Sequence, residues 1–273
     1  MSWIITGREA DPLLLDSYSG AAAAYSLRQL SWAYGGAVVR VRRSSDNTES
    51  DFTATEVSDG TLAAWVGAGN DGFVRTWYDQ SGNARHMIQA TAADQPKIVA
   101  NGVVVQITSI PAIQLAVNNT SGNVYLASSS LVAAQPITMF GVANRSATDD
   151  RQVLFANPDA TFQLAGHVDA GVRIFAGSTL DYQIAPSLGK QLHYGLYNGA
   201  SSAAAINGAT ATTGNSGTNG ISSNSIISGF DPAVTSYSYE WIGHVFELII
   251  YPSNQSANRV GIEANINAHY SIY

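Results

Sequence analysis

The run "YEWIGHVFELIIY", residues 239–251, constrains this chain more than any other stretch. Read with a period of two, Ile242, Phe246, Leu248 and Ile250 share one face with His244. Trp241, Val245 and Ile249 share the other. Both faces are largely apolar, and a strand of that kind belongs between two covering layers rather than on a sheet with one wet side. The chain is therefore expected to build a β-sandwich.

Further runs agree. In "AVVRVRRS", Val39 and Val41 alternate with Arg40 and Arg42. "KIVANGVVVQI", "PITMFGVA", "RQVLFA", "GVRIFAG" and "QLHYGLY" are short β-branched or aromatic runs with turn residues between them. Residues 198–225 carry Asn-Gly pairs at 198, 207 and 219, and these predict a meander of short, exposed strands. Two segments predict helix. "SGAAAAYSLRQLSWAY" has Ser19 as a cap, Ala24, Leu27, Leu30 and Ser31 at helical spacing, and Gly35-Gly36 as a stop. The C-terminal "NQSANRVGIEANINAHYSIY" places Ile262, Ile266 and Tyr270 on one face.

No stretch divides the 273 residues into two independently patterned halves, so one domain is expected over residues 16–273. Residues 1–15 follow no period and read as an N-terminal arm. Leu13, Leu14 and Leu15 in a row cannot all face one core, so the arm is expected to dock on a partner or on a second copy. With 13 basic against 20 acidic side chains and a net charge of −7, nucleic acid is not an expected partner. No apolar run is long enough to span a bilayer, and no basic region followed by an apolar core marks a signal peptide at the N-terminus. The absence of cysteine removes disulfides and thiolate metal sites. The histidines at 86, 167, 193, 244 and 269 show no zinc spacing, and no metal or cofactor is expected.

Several groups could carry chemistry. "WYDQSGNARHMIQATAADQP", residues 77–96, places Trp77 and Asp79 on one face of a strand end. An Asp there holds the following turn by accepting its backbone N–H groups, and sugar contact by Trp77 and Asp79 is the functional alternative. Arg40, Arg42 and Arg43 with Asp46 and Glu49 read as a charged edge strand paired across its turn. Asp231 in "IISGFDPAV" is either a turn former or a remnant acid. Trp241 is the remaining candidate binding residue. Glu240 and Glu247 lie an odd number of positions apart, so on one regular strand they face opposite sides and do not pair.

"AAAAYSLRQLSWAYGGAVVRVRRSSDNTESDF" followed by "WYDQSGNARHMIQATAADQP" resembles the N-terminal part of the catalytic domain of type-B α-L-arabinofuranosidases. The same motifs resemble a domain of bacteriophage virion proteins. The closing stretch, "WIGHVFELIIYPSNQSANRVGIEANINAHY", is similar to the last strand and helix of concanavalin/laminin-G-like sandwiches. The resemblance implies an all-β, concanavalin-like antiparallel β-sandwich (a jelly roll) with a short N-terminal helix and a C-terminal helix. In the enzyme family it implies a carboxylate nucleophile and a carboxylic acid/base. The acid/base position falls on Asp231. The nucleophile is expected as a Glu near residues 165–180, where this chain has Asp169 and no Glu. The family's vicinal cysteine pair has no counterpart in a chain without cysteine, and no Trp occurs between Trp77 and Trp241.

These departures favour a non-catalytic bacteriophage virion structural protein: a capsid decoration, head fibre or tail-associated protein, assembled in the host cytoplasm. Residues 1–15 would meet other virion proteins, host glycans would be an additional ligand, and a homo-oligomer is expected. The alternatives are an arabinofuranosidase-like glycoside hydrolase outside the cell and a free-standing lectin module.

Overall fold

The computed structural model describes residues 12–115, 124–147, 151–168, 171–182, 188–228 and 240–273. The Gly243–Tyr251 strand is hydrogen-bonded along both edges. Ile137–Arg145 lies on one side, and Ala23–Ser26 followed by Ile113–Gln114 lies on the other. Ile137–Arg145 pairs in turn with Gly189–Tyr197, and Ser202–Ile206 and Thr212–Gly214 complete this layer. The second layer runs from Glu49–Phe52 through Val39–Arg43, Gly72–Trp77, Met87–Ile88, Leu126–Ser128 and Ser225–Ile227. It continues through Arg151–Ala156, Gln163–Val168 and Gly171–Phe175 to Thr179–Tyr182. Lys97–Ala100 pairs with both layers and carries the ladder from one to the other. Every pairing is antiparallel, and the expected sandwich is the observed one.

Period-two alternation sorts the first layer's side chains between two cores. Ile137, Met139, Ala143 and Tyr197 point inward and pack with Leu154, Phe155, Leu164 and Ile174 of the second layer. Phe140, Val142, Leu192, Tyr194 and Leu196 point outward, where the helix Arg259–Tyr270 covers them with Ile262, Ile266 and Tyr270. The C-terminal helix thus uses the face expected for it, and it explains why strands of this layer are apolar on both sides. Gly141 lets the layers close up: a Cβ there would stand 3.0 Å from Leu154 Cδ2.

Several local expectations are corrected. The Ala-rich segment is not a helix. Ala23–Ser26 is a strand buried at every position, with Ala23 and Tyr25 facing the inner core and Ala24 the outer one. The short N-terminal helix is Leu14–Ser17 instead. Leu14 and Leu15 are buried in the outer core, so the described end of the segment assigned to an arm packs on the domain. Residues 1–11 lie outside the described residues. Val39–Arg43 is an internal strand, with Glu49–Phe52 as the edge. Arg43 pairs with Asp46 across the turn as expected, whereas Arg40 pairs with Asp51, Arg42 bonds Asn47 and Gln95, and Glu49 lies 3.7 Å from Arg75. Asn207 and Gly208 both have positive φ and form the anticipated turn, yet the Ser202–Ile206 strand before it is buried throughout rather than exposed. In Gly243–Tyr251 a β-bulge at Phe246 breaks the alternation, so Val245, Leu248 and Ile250 face the inner core while Phe246, Ile249 and Tyr251 face the helix.

Candidate active site

At one end of the sandwich the inner core turns polar. Arg145 is opposite both Gly189 and Gly243, which fixes the end of the first layer. In the second layer Arg151 is opposite Val168, Val168 opposite Gly171, and Val172 opposite Tyr182, and five residues connect Arg145 to Arg151. The segments 148–150, 169–170 and 183–187 are therefore all entered and left from this end. Segment 229–239 leaves at Ser228 and returns at Trp241, whose backbone N–H donates to Ser228 Oγ at 3.3 Å.

The floor between these strand ends consists of side chains on the inward parity. Arg145, Gln191 and His193 come from the first layer, and Tyr182 and Gln152 come from the second. All five are nearly or fully buried. The Tyr182 hydroxyl stands 3.4 Å from His193 Nδ1. The Trp241 ring lies edge-on to His193 with centroids 5.9 Å apart, and its Nε1 donates to the Asn144 carbonyl at 3.1 Å. Gln152 Oε1 accepts from the Ile242 N–H at 3.0 Å, tying the returning chain to the second layer.

Burial sets the protonation states here. Desolvation, with the Arg145 charge second, pushes the His193 imidazole down to about 3, so it is neutral at working pH. Desolvation also raises the Tyr182 hydroxyl far above its ordinary range. Glu240, only 3% exposed, has its carboxyl pushed up to about 7 by loss of water. A carboxyl that holds its proton near neutrality through loss of water has the protonation state that a general acid needs.

The residues singled out from sequence fall in different places. Trp241 is on the floor. Asp231 and Asp169 lie outside the described residues, on segments entered from the floor end. Trp77 is fully buried, its ring centroid 5.8 Å from that of Tyr25. The Asp79 carboxylate accepts from Ala24 N, Ser81 N, Ser81 Oγ and Arg85 N, leaving neither residue open to a ligand. The opposite-face argument for Glu240 and Glu247 does not apply, because Glu240 precedes the regular strand and the Phe246 bulge shifts its phase. Glu247 is fully buried and held by Arg28, with N–O distances of 2.8 and 3.0 Å. Sequence reasoning missed the floor itself. The usable signal was parity, since Gln191 and His193 share a face with Tyr197 in "QLHYGLY".

The two antiparallel layers, with buried polar side chains at one end of the inner core, define a concanavalin-like β-sandwich domain. The model of the family "Alpha-L-arabinofuranosidase B, catalytic" matches residues 16–215, and the chain belongs to that family. An arabinofuranosidase complexed with arabinofuranosyl-α-1,2-xylobiose superposes with a TM-score of 0.62 at 17% identity, over 93% of this chain and 64% of that one. A mutant GH54 α-L-arabinofuranosidase soaked with 4-nitrophenyl α-L-arabinofuranoside gives 0.61 at 16% identity, with the same coverage of 93% and 64%. At these identities the likeness shows the fold, and the chain spans less than two thirds of those proteins' length. A comparison with curated proteins gives no match. The family overturns the expectation of a non-catalytic virion structural protein and favours its hydrolase alternative.

Proposed function

We propose that the chain is a glycoside hydrolase that releases α-L-arabinofuranosyl groups. Family membership across residues 16–215 carries this reading. The polar floor supports it, because the segments holding Asp169 and Asp231 are both entered from that end.

In a retaining mechanism one carboxylate attacks the anomeric carbon while a carboxylic acid protonates the leaving oxygen; water then completes the second half with the acid acting as base. Asp231 takes the acid/base role by resemblance. Asp169 stands in the segment where the family has a Glu nucleophile, one methylene shorter. Glu240 is a second candidate for the acid, favoured by its burial and raised pKa. The missing cysteine pair means that this chain must shape its sugar subsite with other residues.

The test is hydrolysis of 4-nitrophenyl α-L-arabinofuranoside by wild type and by Asp231→Asn, Asp169→Asn and Glu240→Gln. Loss of the acid/base should lower turnover about 10²–10⁴-fold. A wild type without turnover on this or a natural arabinofuranoside overturns the hydrolase reading. Full activity in any single variant removes that residue from the assignment.

A further inference from the structure

A second feature lies elsewhere on the molecule, along the Leu27–Gly36 segment. The Gly243–Tyr251 strand changes partner on the edge away from Ile137–Arg145: Ala23–Ser26 pairs down to Glu247, and Ile113–Gln114 takes over at Val245. Between them, at the bulged Phe246, the two partner chains diverge. Leu27 turns away and Pro111 arrives, and the gap opens a hollow of about 270 Å³ with Tyr270 on one side and the helix Ala54–Ser58 on the other. A second hollow of about 210 Å³ shares Gln29, Ala54 and Thr55 with the first. A third, also about 210 Å³, shares Tyr34 with the second. The first two therefore adjoin as one groove beside the Leu27–Gly36 segment, and the third lies against Tyr34 at its end.

The chemistry of the lining narrows the ligand. The guanidinium of Arg28 in the first hollow is already spent: Nε and Nη2 bond Glu247 and Nη1 bonds Asn265. Gln29 is held in place by donating from Nε2 to the Ser31 and Tyr34 carbonyls, each at 2.9 Å. Its Oε1 has no partner among the described residues, and the same holds for the Thr55 hydroxyl. Tyr34 contributes a half-buried ring, and its hydroxyl donates to the Ala37 carbonyl at 2.6 Å. A Cβ on Gly35 would meet nothing within 4 Å, so the groove is open there. Fixed amide and hydroxyl groups, aromatic rings and no unpaired charge suit a neutral polyhydroxylated chain. Leu27–Gly36 contains no strand, so it offers no sheet edge for a peptide to pair with.

We propose that this groove binds an extended, neutral polysaccharide, apart from the candidate active site. None of its lining residues belongs to the polar floor, so the inference does not need catalysis; only the choice of probe rests on the hydrolase reading.

The test is affinity electrophoresis of the full chain through gels containing soluble arabinoxylan or arabinan, with calorimetric titration of xylohexaose. Thr55→Arg is the informative variant, because Thr55 is exposed, makes no side-chain hydrogen bond among the described residues and sits at the junction of two hollows. It should fold with an unchanged melting temperature and bind about tenfold more weakly or worse. Asp231→Asn should bind like wild type. The proposal is overturned if wild type is not retarded by either polysaccharide, if Thr55→Arg binds as wild type does, or if Asp231→Asn loses binding together with turnover. Capture of an extended peptide in place of the sugar also overturns it. Retardation of a wild type that has no turnover would sink the hydrolase reading and leave this one standing.

Discussion

Replacing Asp79 with Ala should be among the most damaging single substitutions in this protein, and the structure lets the size be worked out. The carboxylate is 2% exposed and joins two parts of the fold: Oδ1 accepts from Ala24 N at 2.8 Å and Ser81 N at 2.9 Å, and Oδ2 accepts from Ser81 Oγ at 2.8 Å and Arg85 N at 3.0 Å. Ala removes both acceptor oxygens and with them all four hydrogen bonds. The Ala24 N–H lies in a strand buried on all sides and should cost about 2 kcal/mol unsatisfied; the two part-buried N–H groups should cost about 1 kcal/mol each. The sum, about 4 kcal/mol, corresponds to a melting temperature roughly 8–15 °C lower for a domain near this size. Asp79→Asn is the control that tests the accounting. Its single oxygen can keep the Ala24 and Ser81 N–H bonds, so about 1–2 kcal/mol should be lost, chiefly at Arg85 N. Chemical denaturation of the three proteins, with arabinofuranoside turnover measured alongside, decides. An Ala variant as stable as wild type, or an Asn variant as damaged as Ala, would refute the anchoring argument.

Further outcomes follow from the buried ionisable groups. Because the Glu240 carboxyl is raised to about 7 in the folded state, unfolding stability should be greatest below its ordinary value of 4.5 and decline as pH rises through 7, by up to about 3 kcal/mol. Glu240→Gln should abolish that part of the pH dependence in urea melts, and an unchanged profile would show that the carboxyl is ionised in the fold. His193 runs the other way: its lowered value means stability present above 6.5 and lost as pH falls toward 3, and His193→Gln should flatten that acid limb. Glu247→Ala strands the Arg28 guanidinium beside Ser26 and Tyr270 and should cost about 3–5 kcal/mol in a thermal melt; a loss below 1 kcal/mol would mean that water solvates the cation.

The strands of the two layers could be read from the sequence because β-branched and aromatic residues recur there with turn residues between them, and the closing helix could be read because Ile262, Ile266 and Tyr270 keep one face. The Asp79 anchor was also legible, since an Asp two residues before Ser81 and Gly82 is a local turn device. Local rules failed where the third dimension decides. Ala21–Ala24 satisfies a helix rule equally well, yet Ala23 and Ala24 are strand, because pairing with Ile250 and Ile249 places them between the two cores. The Phe246 bulge, which sets which face of the last strand meets which core, leaves no mark in a pattern apolar on both sides. Gln152, Tyr182 and His193 are far apart in the chain, and each alone reads as an ordinary core or surface residue; of the floor, only Trp241 stood out as a candidate. Only the antiparallel registers bring their strand ends together, and only that shared burial removes the water that would otherwise leave His193 and Glu240 near their ordinary pKa values.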